Sequence, residues 1–169
     1  MSKKISVLLF GGGALLIKYA EYLKKSSVAS PVIVTSERHL NTEFDGLSLK
    51  FRAEELTVPI HKIDQLTVHS LDDLNMSLGN CVAISMGAPW IITSDILEKF
   101  KGEFYNVHGT RLPQNRGGGG FSWQIMRSNK YGFSLLHRVD PGIDTGDIVA
   151  YREFLYEGCK KPLDFQKIY

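Results

Sequence analysis

The sequence predicts an α/β fold built on a mostly parallel sheet, and three observations carry that prediction. Strand-like runs alternate with helix-like runs along the chain. The strand-like runs are almost wholly apolar, as in Ile5 to Phe10 and Cys81 to Ser85, the pattern of strands covered on both faces. Three glycines, Gly11 to Gly13, stand between the first apolar run and the first helical pattern, where a strand must turn into a helix.

Taken in order, Ile5 to Phe10 is the first strand, and Leu16, Tyr19, Ala20 and Leu23 mark one face of the helix that follows. The glycine turn between them can bring backbone N–H groups and a helix N-terminus against a phosphate, although its spacing is not the full G-x-G-x-x-G, and tight-turn packing explains it equally well. Pro31 to Val34 reads as the second strand. From Ser36 to Leu56 the polar residues and Gly46 predict irregular surface structure, with Arg52 and the Glu54-Glu55 pair facing solvent. Val58 to His61 reads as a short strand with His61 at an edge or surface. Ser70 is the expected cap of a helical segment around Leu71 to Leu74. Cys81 to Ser85 runs into the apolar loop Met86 to Ile92, in which Trp90 either fills the core or walls a flat heterocycle. Thr93 or Ser94 caps a helix carrying Ile96, Leu97 and Phe100, and Gly102 ends it. Phe121 to Met126 reads as a helix with Trp123 in the core. Phe133 to Val139 and Ile148 to Phe154 read as strands flanking Asp140 to Asp147. The chain stops soon after Pro162 without the long amphipathic helix expected to cover the end of such a sheet, which reads as a truncated C-terminus to a single domain over residues 1–169.

Net charge is +2, and no stripe of Lys and Arg is long enough to track a phosphate backbone, so nothing demands nucleic acid. Cys81 and Cys159 lack metal-ligand spacing and predict two ordinary thiols in a reduced, cytoplasmic protein, with no metal. Lys3-Lys4 before an apolar run resembles a signal peptide, but Gly11 to Gly13 interrupt the run and a charged helical pattern follows; no run approaches the ~20 apolar residues of a membrane span.

The chemistry concentrates between Phe104 and Asp147. Asn106 and His108 end an apolar, aromatic strand, and open α/β sheets place their sites at the carboxyl ends of strands. Being two apart on extended backbone, the two side chains leave the same face. One is an amide donor and the other titrates near neutrality, a pair suited to polarising a carbonyl and handling a proton. Singly, each has a bland reading: an Asn before a loop, a strand-end His, and a turn at Asp144-Thr-Gly.

Asn106-x-His108, then Leu112-Pro113 and Arg116-Gly117, then Asp140-x-Gly142-Ile143-Asp144-x-Gly146, resemble in this order the folate-dependent formyltransferases, over most of the chain. That family includes the methionyl-tRNA, glycinamide ribonucleotide and sugar N-formyltransferases. The resemblance implies a Rossmann-like three-layer α/β/α domain that moves a formyl group from 10-formyltetrahydrofolate, its co-substrate, to a primary amine. It implies that Asn106 donates to the formyl oxygen as that oxygen becomes an anion, that His108 stabilises the intermediate and moves protons, and that Asp144 orients His108 and relays the proton to the folate nitrogen. It implies one pterin wall in Pro89, Trp90, Ile91 and Ile92 and a second in Val139, Asp140, Pro141, Gly142 and Ile143. Gly11, Gly12, Gly13, Arg116 and Gly117 are the candidate contacts of the other substrate.

Three departures shape the expectation. Gly132 stands one residue further from Asp144 than the usual family glycine, which leaves the register of the following strand open. The loop Gln114 to Gly120 is richer in glycine than the family pattern. The first turn lacks the Gly-Ser-Asn that the glycinamide ribonucleotide enzymes place against phosphate, which argues against that acceptor. The leading expectation is an amino sugar acceptor, nucleotide-linked, with methionyl-tRNA as its rival. Hydrolysis of formyl-folate and a non-catalytic folate or nucleotide module stand behind them. A dinucleotide oxidoreductase is disfavoured, since only Glu37 approaches the acidic position its second strand needs.

Overall fold

The computed structural model describes residues 4–159 together with 161 and 164, the side chain of Phe121 excepted, so the stretch from Pro162 on which the truncation reading rests lies mostly outside the described residues. Strands are β1 (Ile5–Gly11), β2 (Ala29–Thr35), β3 (Glu43–Phe44), β4 (Leu47–Ser48), β5 (Ile60–Lys62), β6 (Cys81–Met86), β7 (Phe104–His108), β8 (Tyr131–Arg138) and β9 (Ile148–Leu155). Helices are α1 (Ala14–Lys25), α2 (Glu37–Leu40), α3 (Leu49–Glu55), α4 (Val68–Asp72), α5 (Ser94–Lys99) and α6 (Gly120–Met126). The main sheet has seven strands in the order β5-β2-β1-β6-β7-β8-β9. The chain forms two compact units, Met1–Tyr105 and Asn106–Tyr169.

In the first unit β5, β2, β1 and β6 are all parallel, so helices must carry the chain back between them. Neighbours along a strand face opposite sides, and Leu8, Leu9 and Phe10 are all fully buried, so both faces of β1 are covered. Leu16, Ala20 and Leu23 give α1 the buried stripe that the sequence spacing predicts, and Tyr19 is half-buried, stacked on Tyr22. Phe10, Phe100 and Phe104 form an aromatic cluster with centroids 5.1–5.9 Å apart. Each such ring contributes roughly 2–3 kcal/mol by leaving water.

Two sequence expectations fail in this unit. The segment from Ser36 to Leu56 is ordered: the Ser36 and Ser48 hydroxyls cap α2 and α3, a two-residue hairpin lies between, and Leu49 and Ala53 are buried. Short caps and turns share their polar composition with loops, so composition alone does not separate them. Glu54 and Glu55 do face solvent, while Arg52 is half-buried and pairs with Glu55 at 3.4 Å. The cap of α4 is Thr67, with Ser70 as its partner three residues on; the Ser70 amide donates to the Thr67 hydroxyl at 3.1 Å and the Thr67 amide to the Ser70 hydroxyl at 2.9 Å.

In the second unit β8 and β9 pair antiparallel, from Tyr131 opposite Leu155 to His137 opposite Ile148, with an irregularity at Leu136 and His137. Gly132 stands opposite Phe154, and the space its missing Cβ leaves is filled by the Phe154 and Tyr156 rings, 2.4 and 2.6 Å from where a Cβ would lie. Trp123, expected in the core, is 51% exposed on the seven-residue α6, and among the described side chains of that helix Gln124 is the buried one. Among the described residues no helix is long and apolar enough to cross a membrane.

Candidate active site

The strand end at Asn106 and His108 and the turn at Asp144 come together in the second unit. Asp144 is the hub. Its Oδ1 lies 3.3 Å from Asn106 Nδ2 and 3.3 Å from His137 Nε2; its Oδ2 accepts the Gly117 backbone N–H at 2.8 Å and lies 3.5 Å from His108 Nδ1. The Asp144 backbone carbonyl accepts Arg116 Nε at 3.1 Å. Asp144 takes a left-handed conformation, φ 49°, which a short polar side chain tolerates better than a branched one. Gly146 makes the turn possible, since a Cβ there would sit 1.9 Å from the Arg138 carbonyl oxygen.

His108 is held at both ring nitrogens. Nε2 donates to the Asn115 carbonyl at 2.8 Å and lies 2.7 Å from Thr110 Oγ1, which itself donates to that carbonyl at 3.0 Å. The carbonyl can only accept, so the proton of a neutral ring sits on Nε2; a second proton on Nδ1 makes the ion pair with Asp144.

His137 is a member of the site that the sequence reading missed. Its side chain is 2% exposed, Nδ1 donates to the Arg138 carbonyl at 2.9 Å, and Nε2 lies 3.1 Å from Asn106 Nδ2. Neutral, the ring accepts the Asn106 amide; protonated, it donates to Asp144 and leaves that amide to other acceptors. Burial alone would lower the His137 pKa, but the Asp144 hydrogen bond, the Arg138 carbonyl and the charges of Asp144 and Asp140 together raise it. Burial alone would raise the Asp144 pKa, yet the His137 bond, the Gly117 amide and the charges of both histidines hold it below its ordinary value. Thr110 and Asn115 were missed too. Asn106, His108 and Thr110 stand at alternate positions, and that period of two was the available signal.

A family model described as formyl transferase matches residues 3–155. The chain belongs to the formyl transferase family. Among curated relatives of this formyl transferase chain, the methionyl-tRNA formyltransferase of Prochlorococcus marinus is 24% identical over 159 residues, 89% of this chain and 47% of that one. The chain spans 33% to 47% of the length of the first curated relatives it matches. Two solved structures share the fold. The N-formyltransferase of Helicobacter canadensis, in complex with folinic acid and dTDP-3-aminofucose, has a TM-score of 0.74 at 20% identity, over 98% of this chain and 58% of that one. The phosphoribosylglycinamide formyltransferase of Anaplasma phagocytophilum has a TM-score of 0.76 at 15% identity, over 98% and 79%. The three-layer α/β expectation with a mostly parallel sheet is thereby met.

The other expected contacts of this formyl transferase are distributed as follows. In the second unit Arg116 and Gly117 both touch Asp144, and Asp140 Oδ1 closes the following turn by accepting the Gly142 N–H at 3.1 Å and the Thr145 hydroxyl. Val139 is half-buried, while Pro141 and Ile143 are exposed. In the first unit Trp90 is half-buried and donates Nε1 to the Asp64 carbonyl at 3.3 Å; Pro89 and Ile91 are exposed and Ile92 is buried. Of the three glycines, Gly11 and Gly12 answer to packing: a Cβ would lie 2.2 Å from the Met86 carbonyl oxygen and 2.7 Å from His39 respectively. Gly13, φ 97°, has open space above it at the uncapped N-terminus of α1. Cys81 and Cys159 are free thiols, and among the described residues no group of three or more His, Cys, Asp and Glu is arranged to hold a metal ion.

Proposed function

We propose that this chain carries the transfer chemistry of a folate-dependent N-formyltransferase, moving the formyl group of 10-formyltetrahydrofolate to the primary amine of a nucleotide-linked amino sugar. The observation that supports it most is the convergence of Asn106 and His108 on Asp144. In this reading the amine nitrogen attacks the formyl carbon and the carbonyl oxygen gains negative charge. The Asn106 amide N–H donates to that oxygen, a preorganised contact worth about 3 kcal/mol in comparable sites. His108, paired with Asp144, supplies positive charge next to the intermediate. Thr110 Oγ1 and the Asn115 carbonyl hold Nε2 and so keep the ring oriented towards Asp144. The amine gives up its proton, the bond from carbon to the folate nitrogen breaks, and that nitrogen takes a proton.

In the second unit the expected folate segment offers an exposed isoleucine, Ile143, suited to apolar contact with a pterin. Arg116 of the same unit, whose Nε is held by the Asp144 carbonyl, is the candidate contact for the acceptor through its terminal nitrogens, while Gly11, Gly12 and Gly117 are engaged by the protein itself. A second reading, formylation of methionyl-tRNA, is favoured by the curated relatives, which carry that name. The test is to incubate full-length protein with 10-formyltetrahydrofolate and amino-deoxy nucleotide sugars, methionyl-tRNA or glycinamide ribonucleotide, following the new amide by mass spectrometry. A formamide on the sugar supports the first reading, one on the tRNA the second. Formate released without any amide, or no consumption of the donor, defeats both.

A further inference from the structure

Between Asn106 and Val139 the chain carries Arg111, Arg116, Arg127, Lys130 and Arg138 and no Asp or Glu. Two of these arginines are prearranged. Arg127 lies over the Trp123 ring, 5.5 Å from its centroid, and donates Nη1 to Asn115 Oδ1 at 3.1 Å. Arg111 lies over the Phe133 ring at 5.7 Å, and its carbonyl accepts the Asn115 backbone and side-chain N–H groups at 3.0 and 3.1 Å. Asn115 therefore meets the Arg127 guanidinium and the Arg111 main chain, and its own carbonyl holds His108. Among the described residues no carboxylate pairs with Arg111 or Arg127. Trp123 is 51% exposed, although an indole stabilises a fold most when buried.

Guanidinium groups held over rings have lost part of their rotamer freedom already, and the planar fork of their remaining N–H groups suits two oxygens of a phosphate. An exposed indole beside them offers a stacking face to a base. One ring and two guanidiniums match a single base with a short phosphate chain, whereas a nucleic acid strand needs a longer basic track.

We propose that Trp123, Arg127 and Arg111 form a nucleotide subsite, the indole stacking on the base and the two guanidiniums binding a diphosphate. The subsite rests on the formyl-transfer reading only in belonging to the acceptor; binding can be measured without any transfer. Asn115 then couples the Arg127 guanidinium to His108, accepting from the first at its side-chain oxygen and from the second at its main-chain carbonyl.

The experiment uses the full chain and UDP as probe, by calorimetry and by Trp123 fluorescence in a Trp90→Phe background. UDP is expected to bind saturably and quench Trp123, pyrophosphate to compete more weakly, and uridine to bind at least tenfold more weakly than UDP. Arg111→Ala, Arg127→Ala and Trp123→Ala should each weaken UDP at least tenfold while Tm and 5-formyltetrahydrofolate binding stay unchanged. No saturable UDP binding, or equal affinity in all three variants, overturns the proposal. So does tight, steeply salt-dependent binding of an RNA stem by a chain that ignores UDP. UDP binding without formyl transfer to any amine would leave the subsite standing and sink the proposed activity; transfer without UDP binding would do the reverse.

Discussion

The two glycine-rich turns of this chain look alike in sequence and work in opposite ways. At Gly11 and Gly12 the missing side chains make room for the protein's own backbone and for His39; at Gly117 and Gly118 nothing lies within 4 Å of where a Cβ would be. The second turn offers a backbone N–H, that of Gly117, to the Asp144 carboxylate, and its φ of 82° is the conformation that glycine alone adopts freely. A run of glycines thus marks either a close approach or a backbone that must present its amides, and only the surroundings distinguish the two.

That contrast can be broken most severely at the acceptor of the Gly117 amide. Asp144→Asn keeps the shape but removes the charge that His108, His137 and Gly117 share, and turnover should fall about 10²-fold to 10⁴-fold in steady-state assays. Retained turnover would mean that the second turn is structural like the first. Next, Gly11→Ala should cost roughly 2–4 kcal/mol, because its Cβ meets backbone that cannot move aside, whereas Gly118→Ala should change stability by less than ~0.5 kcal/mol. Paired urea melts would show it, and equal losses would erase the distinction.

The pH dependence sharpens the same comparison. Asp144 has its folded pKa lowered, so its contribution is present above its unfolded value and is lost as pH falls through the folded one. His137 has its folded pKa raised, so its contribution is complete below its unfolded value, near 6.5, and fades as pH rises through the folded one. The stability gap between the parent chain and His137→Gln should therefore narrow from mildly acidic to alkaline pH; a gap that widens would contradict the assigned link to Asp144. The smallest effect is expected at Trp123. Trp123→Ser should cost under ~1 kcal/mol by urea melt, against the ~3–5 kcal/mol of a core Trp, and the larger loss would restore the core reading.

The parallel sheet was legible because buried strands are apolar throughout, and Asn106 and His108 were legible because a period of two puts them on one face. Asp144 could be placed only through its family pattern, since a turn gives no periodic signal. His137 stayed hidden: it stands in an apolar strand, and only the antiparallel pairing of β8 with β9 gives that strand its register. Trp123 was misread because an aromatic residue on a short helix looks the same whether it faces a core or solvent. The caps at Ser36, Ser48 and Thr67 escaped because polar clusters signal turns and helix starts equally.

The most direct test is single-turnover formyl transfer by His108→Ala at saturating 10-formyltetrahydrofolate, with 5-formyltetrahydrofolate affinity measured on the same sample. The formyl group should stay on the folate while affinity remains within about threefold of the parent chain. Near-parental transfer in that variant would contradict the assignment of Asn106, His108 and Asp144 to one reacting carbon.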